Sequence, residues 1–197
     1  MTNDDLLKPA KLYTRTEVLA KPTAAPAAAG VYGWYFDTPP GATPFEEAYA
    51  WQGWRLLYVG IAPKRPTPGK PPSTRTLSHR LREHYNLNAE GSTLRLTLGC
   101  LLGLELRRVA SQKHPGTAKR RTFGPGGEQR LNEWMATHAR VVWHECSEPW
   151  ALEHEILKRL PLPLNLEANS HSSFHADLTA LRAAAKARAR SLTPLIV

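Results

Sequence analysis

Apolar and polar positions along this chain follow two rhythms. Residues 30–36, "GVYGWYF", and 54–61, "WRLLYVGI", are β-branched and aromatic runs closed by turn signals, "DTPPG" after the first and Pro63 after the second. They predict two strands. The connection over 37–53 is too long for a tight hairpin turn, and its "PFEEAYAW" reads as an ornament. From Thr76 the period becomes helical: "TLSHRLREHY" places Leu77, Leu81 and His84 on one side, with Arg80 one turn before His84. "STLRLTLGCLLGLELRRV" predicts a second, largely buried helix capped at Ser92–Thr93. "EQRLNEWMATHA" predicts a third helix and "RVVWHEC" a third strand. "SEPWALEHEILKRL" begins as a helix should, with Ser147 as N-cap and Pro149 in the first turn. "LTALRAAAKARARSL" is an Ala-rich last helix. The order predicts an α/β layer fold: a small three-stranded, mostly antiparallel sheet flanked by helices, with loop insertions and a basic C-terminal helix.

The expected organisation is an N-terminal extension over 1–29, a domain over 30–166, and a helical tail over 167–197. The extension ends in "KPTAAPAAA", more linker than element. Insertions fall at about 37–53, 62–75 and 111–127.

Charge adds a partner. Lys and Arg number 26 against 17 Asp and Glu, a net charge of +9, and such an excess points to an anionic partner, nucleic acid first. Two clusters suit phosphate contacts: Lys119, Arg120 and Arg121 in the loop "SQKHPGTAKRRTFGPGG", and Arg182, Lys186 and Arg190 at i, i+4 and i+8. "FGPGGE" resembles a phosphate-cradling loop, but no strand precedes it and no Gly-Lys-Ser/Thr follows, so it reads as a helix start. His171 and His175 lack a third ligand for a metal. "HEILK" lacks the second His of a zinc-protease motif. Cys100 and Cys146, far apart, read as buried free thiols. No apolar run approaches a membrane span and the N-terminus has no signal-peptide core, so a cytoplasmic protein is expected.

Four features in order resemble the GIY-YIG endonucleases. "GVY" at 30–32 and "YVG" at 58–60 stand where that family has its two tripeptides, each with an Ile-to-Val change. "HRLREHY" supplies the Arg of the family's first helix, Arg80, with His84 one turn later. "ALEHEILKRLPLPLN" supplies a metal-binding Glu, Glu153, and an Asn after a helix-breaking stretch, Asn165. Glu155 competes with Glu153, whose spacing to Asn165 matches the family better. The resemblance implies DNA, duplex or branched, as substrate, one Mg²⁺ or Mn²⁺ ion as cofactor, and no covalent intermediate.

Each residue type suits the chemistry. Glu153 offers carboxylate oxygen to a hard cation. Arg80 forks onto two phosphate oxygens as Lys cannot. Asn165 is expected to orient the Glu153 carboxylate or a water at the metal. His84 can donate to the phosphate or hydrogen-bond a tyrosine. Tyr32 is the expected general base and Tyr58 its neighbour across the strand pair. A free phenol titrates near pH 10, so a phenolate at pH 7 costs roughly 4 kcal/mol that nearby positive charge must partly offset. The other reading is a catalytically inactive nucleic-acid-binding module of the same fold.

Overall fold

A computed structural model describes residues 4–69, 71, 73–110 and 120–196. Its centre is an antiparallel sheet of four strands in the order β2–β3–β1–β6: β1 (Gly30–Phe36), β2 (Tyr49–Trp51), β3 (Trp54–Ala62) and β6 (Ala139–Glu145). The expected three strands are present. The fourth, β2, lies within the 37–53 ornament and forms a hairpin with β3 through Gln52 and Gly53, both at positive φ (47° and 82°). That conformation at both central positions matches the twist of the flanking strands.

Helices cover both faces. Tyr32, Trp34 and Phe36 of β1 meet Leu77, Leu81 and Tyr85 of α3 (Leu77–Asn86), Leu94 and Leu98 of α4 (Thr93–Leu101), and Leu131 and Met135 of α5 (Gly124–His138). On the other face Val31, Tyr35 and Val59 meet Leu152, Ile156 and Leu157 of α6 (Pro149–Arg159) and Leu6 of α1 (Asp4–Leu7). Period-2 alternation along β1 therefore feeds two separate apolar layers.

Three boundaries depart from expectation. The long helix over 92–109 stops at Leu101: Gly103 takes φ +68°, and Leu104 and Leu106 are buried while Glu105 is exposed. That two-residue rhythm leads into β4 (Arg107–Ala110), which joins β5 (Arg120–Thr122) and β7 (Leu195–Ile196) in a second sheet, β5–β4–β7. Before α6 the cap position is Glu148 rather than Ser147, and it makes no side-chain capping bond. The 1–29 segment is not a loose lead-in where described. Thr14 and Glu17 form a capping box on α2 (Arg15–Leu19), and Leu6 and Val18 are fully buried. Tyr13 pairs with Val141 along the free edge of β6. The Ala/Pro-rich stretch supplies the carbonyls of Pro26 and Ala28 to the Ser78 and Leu77 N–H groups at 3.0 and 2.9 Å. Those bonds anchor the first turn of α3, the helix that carries Arg80 and His84.

Both cysteines are free, Cys100 buried and Cys146 half-buried. Among the described residues no helix is long and apolar enough to cross a membrane.

Candidate active site

The two tyrosines are placed by strand register. Tyr32 pairs with Gly60 and Trp34 with Tyr58, so both phenols stand on the same face of the β1–β3 pair. The register slips between Trp34 and Tyr35, a bulge that adds a residue to β3 at Leu57. Gly60 leaves room for the Tyr32 ring: a Cβ there would lie 2.5 Å from Tyr32 Oη. Gly30 has no more room, since a Cβ would lie 2.3 Å from the His144 carbonyl oxygen. Both tripeptide glycines thus permit close approach.

α3 brings the next two groups. Thr76 caps it by accepting the His79 N–H, and Leu77, Leu81, His84 and Tyr85 form its buried side. His84 is fully buried, with Nε2 2.8 Å from Tyr32 Oη and Nδ1 2.6 Å from Ser92 Oγ. Its ring meets Trp34 edge-on at 5.8 Å and Tyr58 edge-on at 6.2 Å. Burial holds His84 well below its usual pKa, and the positive charges of Arg80 and Arg95 act the same way, so the ring is neutral at pH 7. Arg80 is held by Glu83 at 3.0 Å and by donation to the Gly91 carbonyl at 3.3 Å. Arg75 also pairs with Glu83.

Burial raises Tyr32 above the ordinary phenol value; the adjacent Tyr58 adds to this, and the Arg80 guanidinium opposes it. Burial also pushes Tyr58 up to about 12, opposed by Arg80 and Arg182. The negative charge of Glu153, on α6, reaches both phenols. Glu153 is half-buried, and burial first and Glu167 second push it up to about 7. Glu155, by contrast, is exposed. The strands and α3 therefore bring Tyr32, Tyr58 and His84 together, with the charges of Arg80 and Glu153 acting on both phenols.

Asn165 sits differently from expectation. Its side-chain Oδ1 accepts the Val59 N–H at 2.9 Å and its Nδ2 donates to the Val59 carbonyl at 2.8 Å. The Leu164 N–H donates to the Leu57 carbonyl at 3.1 Å. The primary amide imitates the peptide group of a missing neighbour strand, closing β3 where the short β2 no longer covers it. Asn169 supports it, donating to the Leu162 and Asn165 carbonyls at 2.8 and 3.0 Å. Both polar atoms of Asn165 are thus engaged with backbone next to Tyr58 and Gly60.

Of the basic residues, Lys119 lies outside the described residues. Arg120 is exposed, and Arg121 pairs with Glu90 at 3.3 Å. On α7 (His175–Ser191), Arg190 is exposed while Arg182 and Lys186 are half-buried. The i, i+4, i+8 spacing predicts one positive stripe along a single helix face. Instead Arg182 leans inward: its charge reaches Tyr58, and its Nε is buried without a hydrogen-bond partner among the described residues.

Three contributors escaped the sequence reading. Ser92 showed only as a helix cap. Arg95, fully buried, donates to the His84 carbonyl at 3.3 Å and pairs with Glu128 at 2.6 Å. Glu167 follows Asn165 by two residues and carried no motif signal.

Two phenols, a guanidinium, a neutral imidazole and a half-buried acid make up the candidate site. Residues 30–184 match the GIY-YIG catalytic domain family, which is most of the chain, and the protein belongs to that family. A GIY-YIG catalytic domain is a nuclease domain, and its substrate is nucleic acid. Comparison with curated proteins and with solved structures finds no match.

Proposed function

We propose that this protein is a metal-dependent endonuclease that hydrolyses DNA phosphodiester bonds by direct attack of water. The observation that carries the reading is the contact of Tyr32 Oη with the buried His84 Nε2 at 2.8 Å, with the charges of Arg80 and Glu153 acting on the same phenol. Tyr32 is the general base, and its oxygen is the atom that receives a proton from the attacking water. Arg80, braced by Glu83 and Gly91, is pre-aimed to grip the scissile phosphate, so little side-chain freedom is lost on binding. Tyr58 assists by hydrogen bonding. Asn165 holds the Tyr58–Gly60 backbone in place and so positions the phenols.

The donor set fits one hard divalent ion. Among the described residues no three His, Cys, Asp or Glu side chains cluster, but Glu153 is strained upward by burial and by Glu167. A cation there would relieve both causes, and Mg²⁺ or Mn²⁺ is satisfied by one or two carboxylates and waters. Such an ion, held by Glu153, would supply charge neutralisation at the phosphoryl and leaving oxygens. Lys119, Arg120, Arg121, Arg182, Lys186 and Arg190 contribute sequence-independent phosphate contacts.

Nicking of supercoiled plasmid with Mg²⁺, with EDTA, and by Glu153→Gln tests the reading. Wild type with Mg²⁺ should cut, EDTA should stop it, and Glu153→Gln should lose cleavage while keeping DNA affinity. A wild type that binds DNA and never cuts it would leave a binding module of the same fold. Undiminished cutting by Glu153→Gln would overturn the assignment of the metal to that residue.

A further inference from the structure

Among the described residues, every buried or half-buried arginine but one donates to a protein oxygen. Arg80 and Arg95 bond Glu83 and Glu128, Arg15 and Arg108 bond the Tyr85 and Ala189 carbonyls, and the others do likewise. Arg182 is the exception, and its Nε is shielded from solvent without a partner. Helix geometry explains the position. Leu178, Arg182, Ala185, Lys186 and Ala189 recur at helical spacing and share one face of α7. Leu178 and Ala189 on that face are fully buried, and Ala185 packs on the core cluster that also receives Tyr58. The two cations between them are half-buried. No ion pair of the described residues includes either one. Apolar packing, not an acid, holds them against the domain. A desolvated cation without a partner is costly, and an anion brought by a ligand removes that cost.

We propose that Arg182 and Lys186 form a second phosphate subsite, which takes a backbone phosphate next to the scissile phosphate gripped by Arg80. The identity of that phosphate rests on the nuclease reading above. The planar fork of Arg182 matches two phosphate oxygens, and Lys186 adds a point charge one turn further along α7. The electrostatics agree with this placement. The charge of Arg182 acts on Tyr58, and the charge of Arg80 acts on both phenols. The charges of Arg182 and Arg121 act on Lys186, with Glu90, the partner of Arg121, opposing them. Three cations against one acid leave the patch positive. Phosphates held from two helices, α3 and α7, fix the register of the strand without reading its bases. The helix that follows Asn165 is then part of the active site and not a tail appended to it.

Calorimetric titration with thymidine 3′,5′-bisphosphate and with thymidine 5′-monophosphate, both in EDTA, tests the subsite without cleavage. The wild type should bind the bisphosphate more tightly by about 10-fold or more, the worth of one charge-assisted phosphate contact. Arg182→Gln should erase that preference. Arg130→Gln, which removes an exposed charge from α5, should keep it. A wild type that binds the two nucleotides equally would overturn the proposal even if Arg182→Gln failed to fold. So would an Arg182→Gln protein with the preference intact, or an equal loss in Arg130→Gln, which would reduce the effect to net charge. The nuclease reading fails separately. A protein that never cuts DNA but keeps the Arg182-dependent preference would lose that reading and retain the subsite. One that cuts DNA while its preference ignores Arg182 would retain the reading and lose the subsite.

Discussion

Replacing Asn165 by Ala separates a residue that builds the site from one that touches the reaction. The change removes an acceptor 2.9 Å from the Val59 N–H and a donor 2.8 Å from the Val59 carbonyl, at a side chain only 6% exposed. Each buried backbone group left without a partner costs about 1–3 kcal/mol. Some water can reach a sheet edge, so the low end applies, about 2–4 kcal/mol for the pair. Urea unfolding followed by tryptophan fluorescence should show a lower midpoint with an unchanged slope. Plasmid nicking at a temperature where the variant is still folded should fall as β3 loosens, since Tyr58 and Gly60 flank the clasped residue. Asn165→Gln, one methylene longer, should restore neither property. A variant as stable as the wild type to within about 0.5 kcal/mol, yet unable to cut, would refute the clasp and return Asn165 to direct contact with the chemistry.

Other perturbations test neighbouring links. Tyr32→Phe leaves the His84 Nε2 without its 2.8 Å partner; it should lose about 1–3 kcal/mol of stability and about 10²–10⁴ in single-turnover rate, and Tyr58→Phe should be milder. A Tyr32→Phe enzyme within a few-fold of wild type would make that phenol a packing group. Gly60→Ala drives a Cβ to 2.5 Å from Tyr32 Oη in a site without slack, so it should cost about 1–3 kcal/mol in a thermal melt and impair cleavage as the ring shifts off His84. Unchanged stability there would mean that the Tyr32 ring has room to move. Neutralising Arg182 and Lys186 should flatten the slope of log K against log salt on duplex DNA by about 0.9 per lost phosphate contact, with Arg182→Gln also lowering the cleavage rate because its charge reaches Tyr58. An unchanged slope would place the DNA path elsewhere.

The sequence by itself determined the elements whose signals are local. Period-2 runs set β1, β3 and β6, a helical period from Thr76 set α3, and the two Gly/Tyr tripeptides with Arg80, His84, Glu153 and Asn165 were enough to mark the family. The choice of Glu153 over Glu155 rests on spacing to Asn165, and their different exposure follows from the α6 face that packs on the sheet. Local periodicity misled where a helix and a strand share one apolar run: "LGCLLGLELRRV" hides both, and only Gly103 at positive φ divides them. What tertiary structure decided is what each side chain meets across the chain. Asn165 reads as an orienting amide until it is found against Val59, 106 positions away, where it completes a sheet edge. Ser92 reads as a cap until His84 lies 2.6 Å from it. Arg182 reads as surface charge until α7 turns it inward toward Tyr58. A hydrogen bond and a desolvated charge depend on a partner's position, and no spacing along the chain carries that position; it exists only after both faces of the sheet have been covered.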